Sequence, residues 1–113
     1  MLTAAPLNLS PVTWNLASIL PKSEPFRLTA QLLRAAASVP ANIAEGHSRG
    51  TRKDYANFVS IARGSLAEVE TFLMLAVKVS LLKQQDVGTA MSLATEVSKM
   101  LTALWSRLRE PPP

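Results

Sequence analysis

Apolar side chains return at steps of three and four residues along most of this chain, and the steps divide it into four helices. The longest series is Tyr55, Phe58, Ala62, Leu66, Val69, Leu73 and Ala76, which predicts a helix from about Arg52 to Val79. Val87, Met91, Ala94, Val97, Leu101, Leu104 and Leu108 repeat the rhythm and predict another from about Gln84 to Arg109. Upstream, Leu28, Leu32, Ala36, Val39 and Ile43 mark a helix that begins near Ser23-Glu24-Pro25. Pro40 falls inside that rhythm, where it removes a backbone donor and kinks the helix without ending it. Gly46 is the expected stop, because glycine takes the left-handed C-cap conformation without steric cost. Ser10-Pro11 reads as the cap and first residue of a short first helix carrying Val12, Leu16 and Ile19, closed by Pro21.

The signals between the helices agree with this division. Thr51, with Asp54 three residues on, makes an approximate capping box at the head of the third helix. Pro111, Pro112 and Pro113 stop the fourth. No stretch alternates with the period of a strand, and connections this short join antiparallel neighbours. The expected fold is all-α, an antiparallel up-and-down four-helix bundle. Residues 1–9 are expected to form a flexible arm, 10–110 the single domain and 111–113 a stiff stub. A helical hairpin dimer with a loose N-terminal part is the second architecture.

Composition narrows the class. At 113 residues, 48% hydrophobic and 5% aromatic, the chain supports one modest core rich in Ala and Leu. It has no cysteine, which excludes disulfides and thiolate sites and suits a cytoplasmic protein. The most apolar run, Thr71 to Leu82, is interrupted by Lys78 and is too short to span a bilayer. Charge changes the picture more. Between residues 22 and 63 seven cations face three anions, so the whole net charge of +4 sits there, while residues 64–113 are neutral. Such an asymmetry suits a partner rich in phosphate or carboxylate.

An enzyme needs converging groups, and none are legible. His47, Glu45 and Ser48 are near neighbours whose side chains diverge, which favours a loop histidine over a triad. The inward carboxylates and Glu-x-x-His repeat of a di-iron bundle are missing, so no metal and no cofactor is expected. Gly46 and Gly50 lack the Lys-Ser or Lys-Thr of a phosphate loop. Two cationic features remain. Arg27, Gln31, Arg34, Ser38, Asn42 and Glu45 form one polar stripe along the second helix, which is either a phosphate-contacting ridge or an ordinary solvated face. Arg49, Arg52 and Lys53 crowd the N-terminus of the third helix, where cations are mildly unfavourable unless an anion joins them. With Arg63 they make the candidate anion or nucleic-acid interface: Arg27, Arg34, Arg49, Arg52, Lys53 and Arg63. Aromatic stacking platforms are missing there, so contact with phosphate is expected to dominate. Asn42, Glu45 and Gly46, at the bend, are expected to tie the loop "GHSRGT" to the kinked helix. Gly64, in mid-helix beside small residues, suggests a close approach by another backbone.

The motifs "LPKSEPFRLTAQLLRAA", "SVPANIAEG" and "SIARGSLAEVET", in this order, resemble the 23S rRNA intervening-sequence (S23) proteins over Leu20 to about Leu108. The accessory variability protein of diversity-generating retroelements is similar. The resemblance implies a four-helix bundle without catalytic activity that assembles into a homopentamer and binds nucleic acid or a reverse transcriptase. The first helix here is shorter and less polar than is usual in that family. Pro25-Phe26 replaces a charged residue and an aromatic, Ser80 a glycine, Lys83 a cap residue and His47 an aromatic. The function expected is therefore a basic oligomeric bundle that binds RNA, DNA or a ribonucleoprotein. The alternative is a scaffold whose cations meet an acidic protein.

Overall fold

The computed structural model describes residues 5–22 and 27–111, which form four helices: α1 (Ala5–Ala17), α2 (Leu28–Ser48), α3 (Arg52–Lys78) and α4 (Gln84–Leu108). α1 packs on α2 and α4, and α3 packs on the same two, while the diagonal partners stay apart. With short connections this cyclic order is an up-and-down bundle. It makes a rod of 51 × 21 × 20 Å. One continuous core runs through it, with Leu9, Leu32, Leu66, Leu73 and Leu101 fully buried.

α3 and α4 start and stop within one residue of the sequence expectation. Thr51 caps α3 by accepting the Asp54 amide at 3.1 Å. At α4, the Asp86 carboxylate takes the Lys83 amide at 2.8 Å, so the backbone donor is satisfied although lysine is a poor cap residue. Val59 and Ser65 join the buried face of α3, whereas Tyr55 and Phe58 are only partly buried at the end of the rod.

The turn between α3 and α4 accounts for one departure from the family pattern. Ser80 has φ 64, in the left-handed region. The Leu81 amide donates back to Ala76 O at 2.8 Å and the Ser80 amide to Val77 O at 3.0 Å. These are the two bonds of a Schellman motif, which glycine fits without strain. Ser80→Gly should therefore stabilise the bundle by about 1 kcal/mol, raising its thermal midpoint by ~4 °C in a circular-dichroism melt.

Three expectations need correction. The arm of residues 1–9 is helical from Ala5, and Ser10 does not cap α1. Ala5, Leu9, Thr13 and Leu16 form its buried stripe, and Pro6 stands in the first turn, where a missing amide costs nothing. Pro11 is tolerated in mid-helix because it is exposed, as is Leu7, whose carbonyl loses its partner. Thr13, fully buried, donates its hydroxyl to Leu9 O at 2.8 Å. Next, Gly46 does not end α2. The helix runs through Pro40 to Ser48, and Gly50, at φ 88, takes the left-handed position. Gly46 is instead buried where α2 meets α3. Gly64 faces open space in the subunit, so no other helix of the same chain approaches it. The close backbone approach is at Gly46. The expected start of the second helix at Ser23–Pro25, and Pro112 and Pro113 of the stub, lie outside the described residues.

Candidate nucleic-acid interface

An up-and-down bundle puts the first turn of one helix beside the last turn of the next. The start of α3 thus meets the end of α4. Arg52 reaches across and donates from Nη2 to the carbonyl of Arg107 at 2.6 Å, with Glu110 O at 3.5 Å. A guanidinium there costs its own helix ~0.3–1 kcal/mol through the macrodipole, but the C-terminal carbonyls of α4 offset that cost. The cation at the head of α3 therefore has a partner within the chain, which the sequence reading left to an external anion.

Around this contact the structure gathers a basic cluster. Lys53 is exposed on the first turn of α3, and Arg107 and Arg109 are exposed at the end of α4. The guanidinium carbons of Arg63 and Arg109 lie 4.5 Å and 4.4 Å from the centroid of the Trp105 ring. Each such contact contributes ~0.5–1 kcal/mol and holds its cation in place. Between α3 and α4 runs an open groove of about 750 Å³. Lys53, Asn57, Ser60, Trp105 and Arg109 are among the residues that line it. Asp54 and Glu110 are the acidic groups on its rim.

The six cations singled out from the sequence do not form one surface. Arg52 and Lys53 line the groove, and Arg63 lies beside it over Trp105. Arg49 is at the same end of the rod but is engaged: its Nε donates to Glu45 Oε2 at 2.8 Å and its guanidinium lies 5.0 Å from the Phe58 ring. Both partners are half-exposed, so the pair fixes a direction more than it stabilises. Arg34 is exposed on α2 and Arg27 just before it, and the 22 steps from Arg27 to Arg49 separate the two ends by ~33 Å. Arg27 itself has φ 52.

The polar stripe of α2 is also divided. Asn42 donates to Ser38 O and Ser38 Oγ at 2.8 Å and 2.9 Å, and Ser38 Oγ meets Ser65 Oγ of α3 at 2.8 Å. Ser38 thus ties α2 to α3, and Asn42 spends its amide on Ser38 within α2 and not on the loop. Glu45 does hold the loop, through Arg49. His47 packs edge-on against Tyr55 at 5.5 Å, and burial raises that phenol above its ordinary 10.0.

Arg107, Arg109 and Trp105 were missed because charge was summed along the chain. Residues 52–53 and 107–109 are distant in sequence and adjacent in an antiparallel bundle. Pairing each helix head with the next helix tail would have found them.

A family model described as 23S rRNA-intervening sequence protein matches residues 6–103. A crystal structure of a protein of unknown function from the S23 ribosomal protein family, from Bacteroides thetaiotaomicron, superposes with a TM-score of 0.82 at 25% identity. The superposition covers 89% of this chain and 94% of that one. No curated protein matches the chain. Among the described residues, no helix is long and apolar enough to cross a membrane.

Proposed function

The chain belongs to the 23S rRNA-intervening sequence protein family, and we propose that it is a non-catalytic, self-associating bundle that binds the phosphate backbone of RNA or DNA through the groove between α3 and α4. The carrying observation is the groove that Arg52, Lys53 and Arg109 line from two helices, with Arg63 over Trp105 beside it and Arg107 exposed at the same end of the rod. Arg63 and Arg109 both lie over Trp105, which leaves that ring poorly placed for stacking a base. Recognition is then by backbone phosphate and is indifferent to sequence. The family resemblance supplies a homopentamer as the assembly, and five linked copies multiply a weak patch by ~10²–10⁴ in avidity.

Salt dependence tests this reading. With Lys53, Arg107 and Arg109 each neutralising one phosphate, the affinity of each engaged copy for duplex DNA should fall with a log–log slope of about 2.7 against salt. Gel shifts of long and short RNA and duplex DNA at several salt concentrations measure it. Absence of any shift at low salt rejects nucleic-acid binding. It would leave the scaffold, in which the same cations meet an acidic protein.

A further inference from the structure

The residues after Glu110 are Pro111, Pro112 and Pro113, and none of them carries an amide hydrogen. An ordinary helix end closes when the residues beyond its cap fold back and donate to the last carbonyls. α4 has few such donors. The Arg109 amide meets Trp105 O and Ser106 O, both at 3.2 Å, and the Glu110 amide meets Arg107 O at 3.3 Å. The core also holds this turn loosely. Leu101 is the last buried residue of α4, and Leu104, Trp105 and Leu108 beyond it are half-buried. Two arginines of α3 supply the missing hold. Arg52 donates to Arg107 O at 2.6 Å, with Glu110 O at 3.5 Å, and Arg63 lies over Trp105.

Resting on the reading of the groove as a phosphate site, we propose that Arg52 is a positioning residue. It straps the last turn of α4 to the head of α3, and so fixes Arg109 on the groove wall, without taking a phosphate itself. Its guanidinium sits at the negative end of the α4 dipole, equivalent to roughly half an elementary charge. A phosphate brought to Arg52 would meet those carbonyl oxygens as well. Lys53, one residue on, is exposed on the first turn of α3 and lines the groove. Arg109 also lines it, and it is the C-cap of α4, so its place depends on that turn being closed. A helix end that nothing ties opens at a cost near zero. A hydrogen bond from a charged donor shifts that balance by about tenfold or more towards closure. By reciprocity, a phosphate backbone bound in the groove protects the end of α4 from opening.

Two neighbouring variants separate positioning from contact, because Arg52→Gln and Lys53→Gln each remove one charge from the same turn. Both side chains are exposed, so both proteins should stay folded, which their melts check. In the free protein, Arg52→Gln should speed hydrogen exchange at the Arg109 and Glu110 amides by ~10-fold, read by NMR, and Lys53→Gln should leave them unchanged. On duplex DNA, Arg52→Gln should bind ~3–10-fold more weakly and keep the log–log salt slope of about 2.7 per engaged copy. The slope persists because the end of α4 closes on binding and presents the same cations. Lys53→Gln should lower the slope by ~0.9. Should Arg52→Gln fail to fold, Arg52→Met replaces it with the same expected results. Unchanged exchange in the Arg52 variant overturns the strap. A slope lower by ~0.9 in that variant makes Arg52 a phosphate contact, and unchanged affinity removes its part in binding, so either overturns the positioning role. A wild type that binds no nucleic acid overturns the reading of the groove, and faster exchange in Arg52→Gln would then mark a structural tie alone.

Discussion

Gly46→Ala is expected to destabilise the bundle by about 1–3 kcal/mol, the usual range for overpacking a core, and to lower its thermal midpoint by ~4–12 °C. A Cβ at this position would lie 2.6 Å from Phe58 Cβ, 3.1 Å from Tyr55 Cδ1 and 3.3 Å from Tyr55 O. Carbon atoms at rest are ~3.5–4.0 Å apart. Phe58 Cβ is one bond from its backbone, so no rotamer change relieves the clash and the two helices must separate. The sign is informative because helix propensity works the other way, favouring Ala over Gly by ~1 kcal/mol. Gly88→Ala supplies the comparison. A Cβ there meets nothing within 4 Å, so that substitution should raise the midpoint by up to ~4 °C. Two melts decide it, and a Gly46→Ala protein as stable as wild type would rule out the close approach of α2 and α3.

The same glycine shows what sequence does and does not reveal. α3 and α4 were legible because an apolar seam sustained over about six turns leaves few alternatives, and Thr51 and the proline run mark their ends. Gly46 was legible as special but not in its role. Glycine serves both a left-handed cap and a close helix contact, and only the position of Phe58 distinguishes them. Gly50, four residues on, takes the cap instead. The start of α1 was misread for a related reason, since Ser-Pro is a helix start only when no buried stripe precedes it. Leu9, fully buried, extends that stripe upstream. Of the site, the cations on the first turn of α3 were legible as a local excess. Their neighbours on α4 were not, because adjacency there follows from topology.

Reversing the charge of Lys53, Arg107 and Arg109 together to Glu is expected to weaken nucleic-acid binding by at least ~10²-fold at moderate salt. Three phosphate contacts alone change affinity by ~40-fold over a fourfold change in salt, and reversal adds repulsion to their loss. These three are chosen because the structure gives Arg49 and Arg52 internal partners, whose removal would disturb the loop and the end of α4. Lys53 and Arg107 are exposed, and losing the contact of Arg109 with Trp105 costs only ~0.5–1 kcal/mol. The bundle should stay folded. Net charge must be separated from its location, so the control carries the same change at the other end of the rod. Lys22, Lys78 and Lys83 are exposed there, and their reversal also takes the chain from +4 to −2. If the groove is the interface, the control loses several-fold through the weakened field alone, and the groove variant loses far more. Equal losses would mean that nucleic acid responds to total charge and that no defined surface binds it. A groove variant that binds as tightly as wild type would move the interface to Arg27 and Arg34 on α2. The comparison is read by gel shift with one long RNA, at one salt concentration, on proteins shown by their melts to be folded.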